Sequence, residues 1–81
     1  MKTLTKDEFM EAWSIERAKI VFKDGDIIEG CAVFISDVDS FNGIDEIEIY
    51  TEGRKCILEP LSDVKEIVDL DKQNTNQIPN R

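Results

Sequence analysis

Asp37-Val-Asp-Ser-Phe-Asn-Gly-Ile-Asp-Glu46 gathers four carboxylates and an amide into ten residues. Oxygen ligands at such density are what a calcium loop uses. An EF-hand takes ligands at loop positions 1, 3 and 5, a glycine at 6 and a glutamate at 12, between two helices. Counted from Asp37, the fifth position is Phe41, Gly43 comes one residue late, and the flanking segments alternate as strands do. The segment therefore fits a solvated acidic hairpin loop better than an ion site. Asp45, Glu46 and Glu48 offer a carboxylate pair for acid–base work, but Glu46 and Glu48 alternate outward on one strand, where solvent holds both ionised. Ser62-Asp-Val-Lys65 has the Ser-x-x-Lys spacing of penicillin-recognising enzymes, whose further motifs need a much larger chain. Ser62 is expected instead to cap a short turn.

The chain has no histidine and two cysteines, Cys31 and Cys56, which leaves no ligand set for zinc. Each cysteine sits in an apolar run, which predicts free, buried thiols rather than a disulfide. With neither a histidine nor a thiol in a polar setting, the expectation is a protein that is not an enzyme and takes no cofactor.

These residues need a scaffold, and 81 residues allow one small aliphatic core. With no signal-peptide core and no long apolar segment, the chain reads as soluble and cytoplasmic, without a membrane partner. The net charge is −8, and residues 16–70 hold fourteen acids against six bases, so the excess belongs to the folded body. Such a field repels phosphate backbones and anionic lipid. It serves solubility, and it also suits a surface that meets a basic partner.

Thr5-Lys-Asp-Glu8 is a capping box, with Leu4 and Phe9 at the positions of a hydrophobic staple. A short helix follows, with Phe9, Met10 and Trp13 on the face that docks on the core. Residues 16–23 alternate, with Ala18, Ile20 and Phe22 inward and Arg17, Lys19 and Lys23 outward. Asp24-Gly25 then predicts a two-residue type I′ hairpin turn. Residues 27–36 are apolar on both faces, and Gly30 marks a bend or bulge in that strand, as in the wall of a small closed barrel. After the 36–43 loop, Ile44, Ile47 and Ile49 face inward and Glu46, Glu48 and Tyr50 outward. Glu52-Gly53 turns the chain into Arg54–Leu58, Pro60 ends that strand, and a short turn at Ser62-Asp63 precedes a last strand. The organisation expected is a helix over 1–15, a barrel over 16–70 and a flexible polar tail over 71–81.

A helix followed by five short strands, with Ile20-Val-Phe-Lys-Asp-Gly-Asp-Ile-Ile-Glu-Gly30 and the closing Leu61…Val64…Ile67 pattern, resembles the Sm-like (LSm) family over about residues 5–70. It looks closest to the short Sm-like proteins of Gram-positive bacteria. In layout it is also similar to the small acidic Sm-like inhibitors of the Rho transcription terminator. The resemblance implies an all-β fold: a small five-stranded Sm-like or SH3-like barrel with an N-terminal α-helix. The family builds its RNA pocket partly from an Asp-x-aromatic-x-Asn loop, and Asp39-Ser-Phe41-Asn42 looks like a version of it one residue short. The other half of the pocket is an Ile-Arg-Gly segment; the matching place here reads Leu58-Glu59-Pro60. Glu59 removes a phosphate-binding cation and substitutes a repulsive charge.

The expected function is therefore an acidic protein-interaction module, a small regulator that binds a basic partner surface. Its contact residues are expected among Asp37, Asp39, Phe41, Asn42, Asp45, Glu46, Glu48 and Glu59. An Sm-like RNA binder using Asp39, Phe41 and Asn42 is the alternative. A structural homo-oligomer joined through free strand edges is the third reading.

Overall fold

The computed structural model describes residues 1–53 and 55–72. Of the expected polar tail, 73–81 lie outside the described residues. The chain forms strands β1 (Lys2–Leu4), β2 (Ser14–Phe22), β3 (Ile27–Ile35), β4 (Glu46–Tyr50), β5 (Cys56–Pro60) and β6 (Val64–Asp69). A helix α1 (Lys6–Ala12) follows β1, and a single 3-10 turn (Leu61–Asp63) joins β5 to β6. All six strands lie in one antiparallel sheet in the order β1-β6-β2-β3-β4-β5. Six strands stand where five were expected. The addition is β1, whose pairing of Lys2 with Asp69 and Leu4 with Ile67 is non-local and leaves no alternation to read. Among the described residues no ladder joins β5 back to β1, so the sheet curls over a core without hydrogen-bonded closure.

The capping box forms at the start of α1. The Glu8 N–H donates to Thr5 Oγ1 at 3.0 Å and the Thr5 N–H to Glu8 Oε1 at 2.8 Å. Leu4 and Phe9 are both buried in the same cluster, as a staple requires. Trp13 departs from its expected place in the core: it is 57% exposed. It ends the helix at φ 70°, a backbone region that favours glycine. Its N–H donates to Phe9 O and its carbonyl accepts from the Phe34 N–H at 2.8 Å, so the backbone links α1 to β3. The indole meets Phe34 edge-on at 6.1 Å, and Phe34 meets the fully buried Phe9 in the same way.

The β2–β3 connection is not the two-residue type I′ turn. Only Gly25, at φ 100°, has positive φ; Asp24 does not. The Gly25 N–H bonds to Phe22 O and the Phe22 N–H to Asp26 O, which makes a three-residue loop closed by a glycine bulge. The Asp24 carboxylate accepts the Asp26 N–H and fixes that geometry.

The bulge expected at Gly30 lies across from it, in β2. Ile15 pairs with Ala32 and Ala18 with Gly30, so Glu16 and Arg17 of β2 together face Cys31. A Cβ at Gly30 would stand 2.3 Å from the Tyr50 carbonyl oxygen, closer than any side chain tolerates. From Cys31 onward, β3 pairs with β4. The core lies on one face of the curled sheet, where Ala18, Ile20, Ala32, Ile47, Ile49 and Ile67 have almost no exposure. Ile44, read as inward, is exposed, and so is Ile27 of the strand expected to be apolar on both faces.

Candidate functional site

The loop between β3 and β4 carries five of the eight expected contact residues, and the structure fastens it at several points. Asp39 and Ser40 donate backbone N–H groups to Ser36 O, and Asp37 N–H bonds to Asp45 Oδ1 at 2.9 Å. Ser36 Oγ lies 3.3 Å from Asp39 Oδ2. The anchor of the loop is Glu46. Expected to be solvated, it is instead 3% exposed. Its Oε1 accepts the Ser40 hydroxyl at 2.6 Å and its Oε2 the Asn42 side-chain amide at 2.8 Å. Strand alternation did turn Glu46 away from Ile47, but the loop folds back over that face and satisfies the carboxylate. Charge-assisted bonds of this length are the stronger kind, and they hold the loop in one shape.

What this shape presents is apolar at the tip and acidic around it. Phe41 is fully exposed and Val38 nearly so, while Asp37, Asp39 and Asp45 are exposed carboxylates without an ion-pair partner among the described residues. Among those residues no group of three His, Cys, Asp or Glu side chains converges to hold a metal ion. The Asn42 side-chain N–H2 is taken up by Glu46, although the residue is exposed.

Glu48 stands apart from the loop and organises the outer face of β4. The Tyr50 hydroxyl donates to Glu48 Oε1 at 2.7 Å and the Cys56 thiol to Oε2 at 3.2 Å. That hydrogen bond to Glu48, helped by partial desolvation and the nearby negative charge, pushes the Tyr50 phenol up to about 12. The same carboxylate raises the Cys56 thiol above its ordinary value. A nucleophilic cysteine needs the opposite shift; this one disfavours the thiolate. Cys56 is exposed and Cys31 half-buried, in place of the two buried thiols expected; both are free. Cys31 and Cys56 each pair with Tyr50 from opposite sides. They are therefore two strand spacings apart, about 9.5 Å, beyond the reach of a disulfide.

Glu59 lies away from the loop tip, in a hollow at the end of the β2–β3 hairpin with Asp24, Asp26 and Asp63. None of Asp24, Asp26 and Asp63 was expected to contribute. The turn at Ser62-Asp63 was expected, but not its bond to the hairpin: Asp63 O accepts the Lys23 N–H and thereby brings sequence-distant acids together. Ser62 does not cap that turn, since no side chain does. The N–H of Leu61 in the same turn bonds to Asp45 O, so the turn stands between the hollow and the loop.

Comparison of the chain with known protein families, with curated proteins and with solved structures gives no match. Among the described residues no helix is long and apolar enough to cross a membrane.

Proposed function

We propose that this chain is a non-enzymatic acidic interaction module that docks on a basic protein surface through its β3–β4 loop. The observation that carries the reading is Phe41, fully exposed on a loop that Glu46 holds rigid. A rigid exposed aromatic ringed by carboxylates fits an apolar socket with a basic rim. Little entropy is lost when such a loop binds, because its shape exists beforehand. The helix followed by five strands, with a β2 bulge opposite Cys31, supports kinship with Sm-like barrels; fold alone does not carry function.

RNA binding is disfavoured by the same geometry. The Asn42 N–H2 is taken up by Glu46, and Glu59 stands at the place where the resemblance to Sm-like proteins implies a phosphate-binding arginine. The test is affinity capture with the tagged chain beside two variants, one carrying Asp37→Lys, Asp39→Lys and Asp45→Lys, the other Phe41→Ala. A basic protein retained by the parent chain and lost from both variants is the expected outcome. Retention indifferent to both would remove the loop from the interface. RNA that elutes with the parent but not with Phe41→Ala would replace this reading with the Sm-like RNA binder.

A further inference from the structure

We infer that two copies of this chain join through the outer edges of their β5 strands, antiparallel and with Ile57 of each copy opposite Ile57 of the other. The contact lies apart from the loop tip and does not depend on what the loop binds. The sheet has two edges, β1 and β5. β1 spans three residues and runs at once into α1, whereas β5 spans five and, among the described residues, nothing pairs with its outer side. That edge is apolar on both faces: Ile57 is half-buried at the margin of the core and Leu58 is 46% exposed. A solvated edge is normally kept polar or short, because its unpaired N–H and C=O groups template another strand.

Backbone direction sets what this edge can bond. The Lys55 carbonyl accepts from the Thr51 N–H, and the Leu61 N–H donates to Asp45 O, so Lys55 and Leu61 turn their backbone groups toward the β4 side. Successive residues of a strand alternate in this respect, and the β4–β5 register runs unbroken from Cys56 to Pro60. Ile57 and Glu59 therefore also bond to β4, while Cys56, Leu58 and Pro60 point their backbone groups outward. Pro60 has no N–H to offer. With Ile57 opposite Ile57, Cys56 of each copy exchanges both backbone bonds with Leu58 of the other, and Pro60 is not needed. Centring the pair on Leu58 instead would set Cys56 against Pro60 and lose a donor on each side.

The same register matches the side chains. Read antiparallel to itself, Lys55-Cys-Ile-Leu-Glu59 sets Lys55 of each copy against Glu59 of the other. Opposite charges directly across an antiparallel pair attract, and like charges repel. The ion pairs found among the described residues, Lys2–Glu8 and Arg17–Asp71, use neither Lys55 nor Glu59. On the core side Ile57, which pairs with Ile49 in its own sheet, meets its counterpart; on the outer face Leu58 stands beside Cys56 of the other copy. Centred on Leu58, Ile57 would face Glu59 instead. The contact uses the same strand on both copies, so it closes as a two-fold dimer and does not grow into a filament.

The test is mass by light scattering on the full chain over a concentration series, at about 0.15 M salt, where the −8 on each copy is screened beyond about 8 Å. A mass that rises to twice that of the chain is expected. A chain still monomeric at millimolar concentration, or a species heavier than a dimer, would overturn the inference. Lys55→Glu and Glu59→Lys should each weaken the dimer by about tenfold, since each turns both symmetric attractions into repulsions. Net charge alone would give the two variants opposite effects, because Lys55→Glu adds negative charge and Glu59→Lys removes it. The double variant keeps the parent's net charge and should restore the dimer, while circular dichroism shows that each variant retains its sheet. Residues opposed at such a position have Cα atoms about 4.5 Å apart, within reach of a disulfide. In a chain carrying Cys31→Ser and Cys56→Ser, Ile57→Cys should therefore link into a covalent dimer on mild oxidation. Leu58→Cys should not, because its two copies lie on the diagonal, beyond that reach. Reversals that leave the dimer intact, opposite effects from the two, or equal linking at 57 and 58 would sink the pairing.

Discussion

Glu48 engages both carboxylate oxygens with neighbours that donate to it, so the charge on this residue is written into the titration of two others. Tyr50 is the chain's single tyrosine, and tyrosinate absorbance therefore reports it alone. Its midpoint should lie near 12 in the folded protein and near 10.0 in the unfolded chain. Because the folded value is raised, this contribution to stability is complete below about pH 10 and is lost as pH rises through the folded value. In Glu48→Gln the midpoint should return toward 10, and alkylation of Cys56 should accelerate. A midpoint unaffected by that substitution would mean the hydrogen bond is not the cause. Gly30 sets a second constraint of this kind. Adding one methyl there drives it into the Tyr50 carbonyl, so Gly30→Ala should lower stability by about 1–3 kcal/mol in urea unfolding. The loss should appear although the substitution removes no contact.

At the scale of elements, the β3–β4 loop behaves as a structure of its own, and its hub is Glu46. Glu46→Gln keeps one oxygen to accept the Asn42 amide, but its N–H2 then faces Ser40, whose hydroxyl must accept instead of donating. Loss of the charge from both bonds should cost about 1–2 kcal/mol. Hydrogen exchange at Asn42 and Gly43 should accelerate more than exchange in β2 or β6. Uniform acceleration would instead mark Glu46 as a core residue with no special hold on the loop. Elements that depend on neighbours in sequence were legible beforehand. Thr5 and Glu8 define the helix start by reciprocal bonds three residues apart, and the alternation of Ala18, Ile20 and Phe22 defines β2. What depends on the return of the chain was not. Alternation places Glu46 on the face opposite Ile47, but only the folded loop shows that Ser40 and Asn42 cover it. β1 is three residues long and its partner is β6, so no local pattern announces it. Trp13 looks like a continuation of the Phe9 stripe, yet the helix ends under it and its backbone, more than its ring, does the joining. The same holds for the site. The loop residues are contiguous in sequence and could be named from it, whereas the hollow draws on three separated segments joined by one turn.

For the molecule as a whole, charge acts against the fold and, under the proposed function, in favour of a basic partner, and salt separates the two. The chain carries −8 on a body with a radius of gyration of 13.0 Å, and among the described residues few acids are paired. At about 0.01 M ionic strength the Debye length is about 30 Å, so every carboxylate feels every other; at about 0.15 M it falls to about 8 Å and only neighbours interact. Added salt should therefore raise the urea midpoint, because repulsion across the folded body is screened more than the expanded chain's. Capture of a basic partner should move the opposite way and weaken over the same range, as long-range attraction is lost. The opposed signs make the comparison decisive. If stability fell with salt, local ion pairs such as Arg17–Asp71 would outweigh the global repulsion. If capture were insensitive to salt while still dependent on Phe41, the aromatic tip would carry the contact and the acidic surface would serve only to keep the protein dissolved.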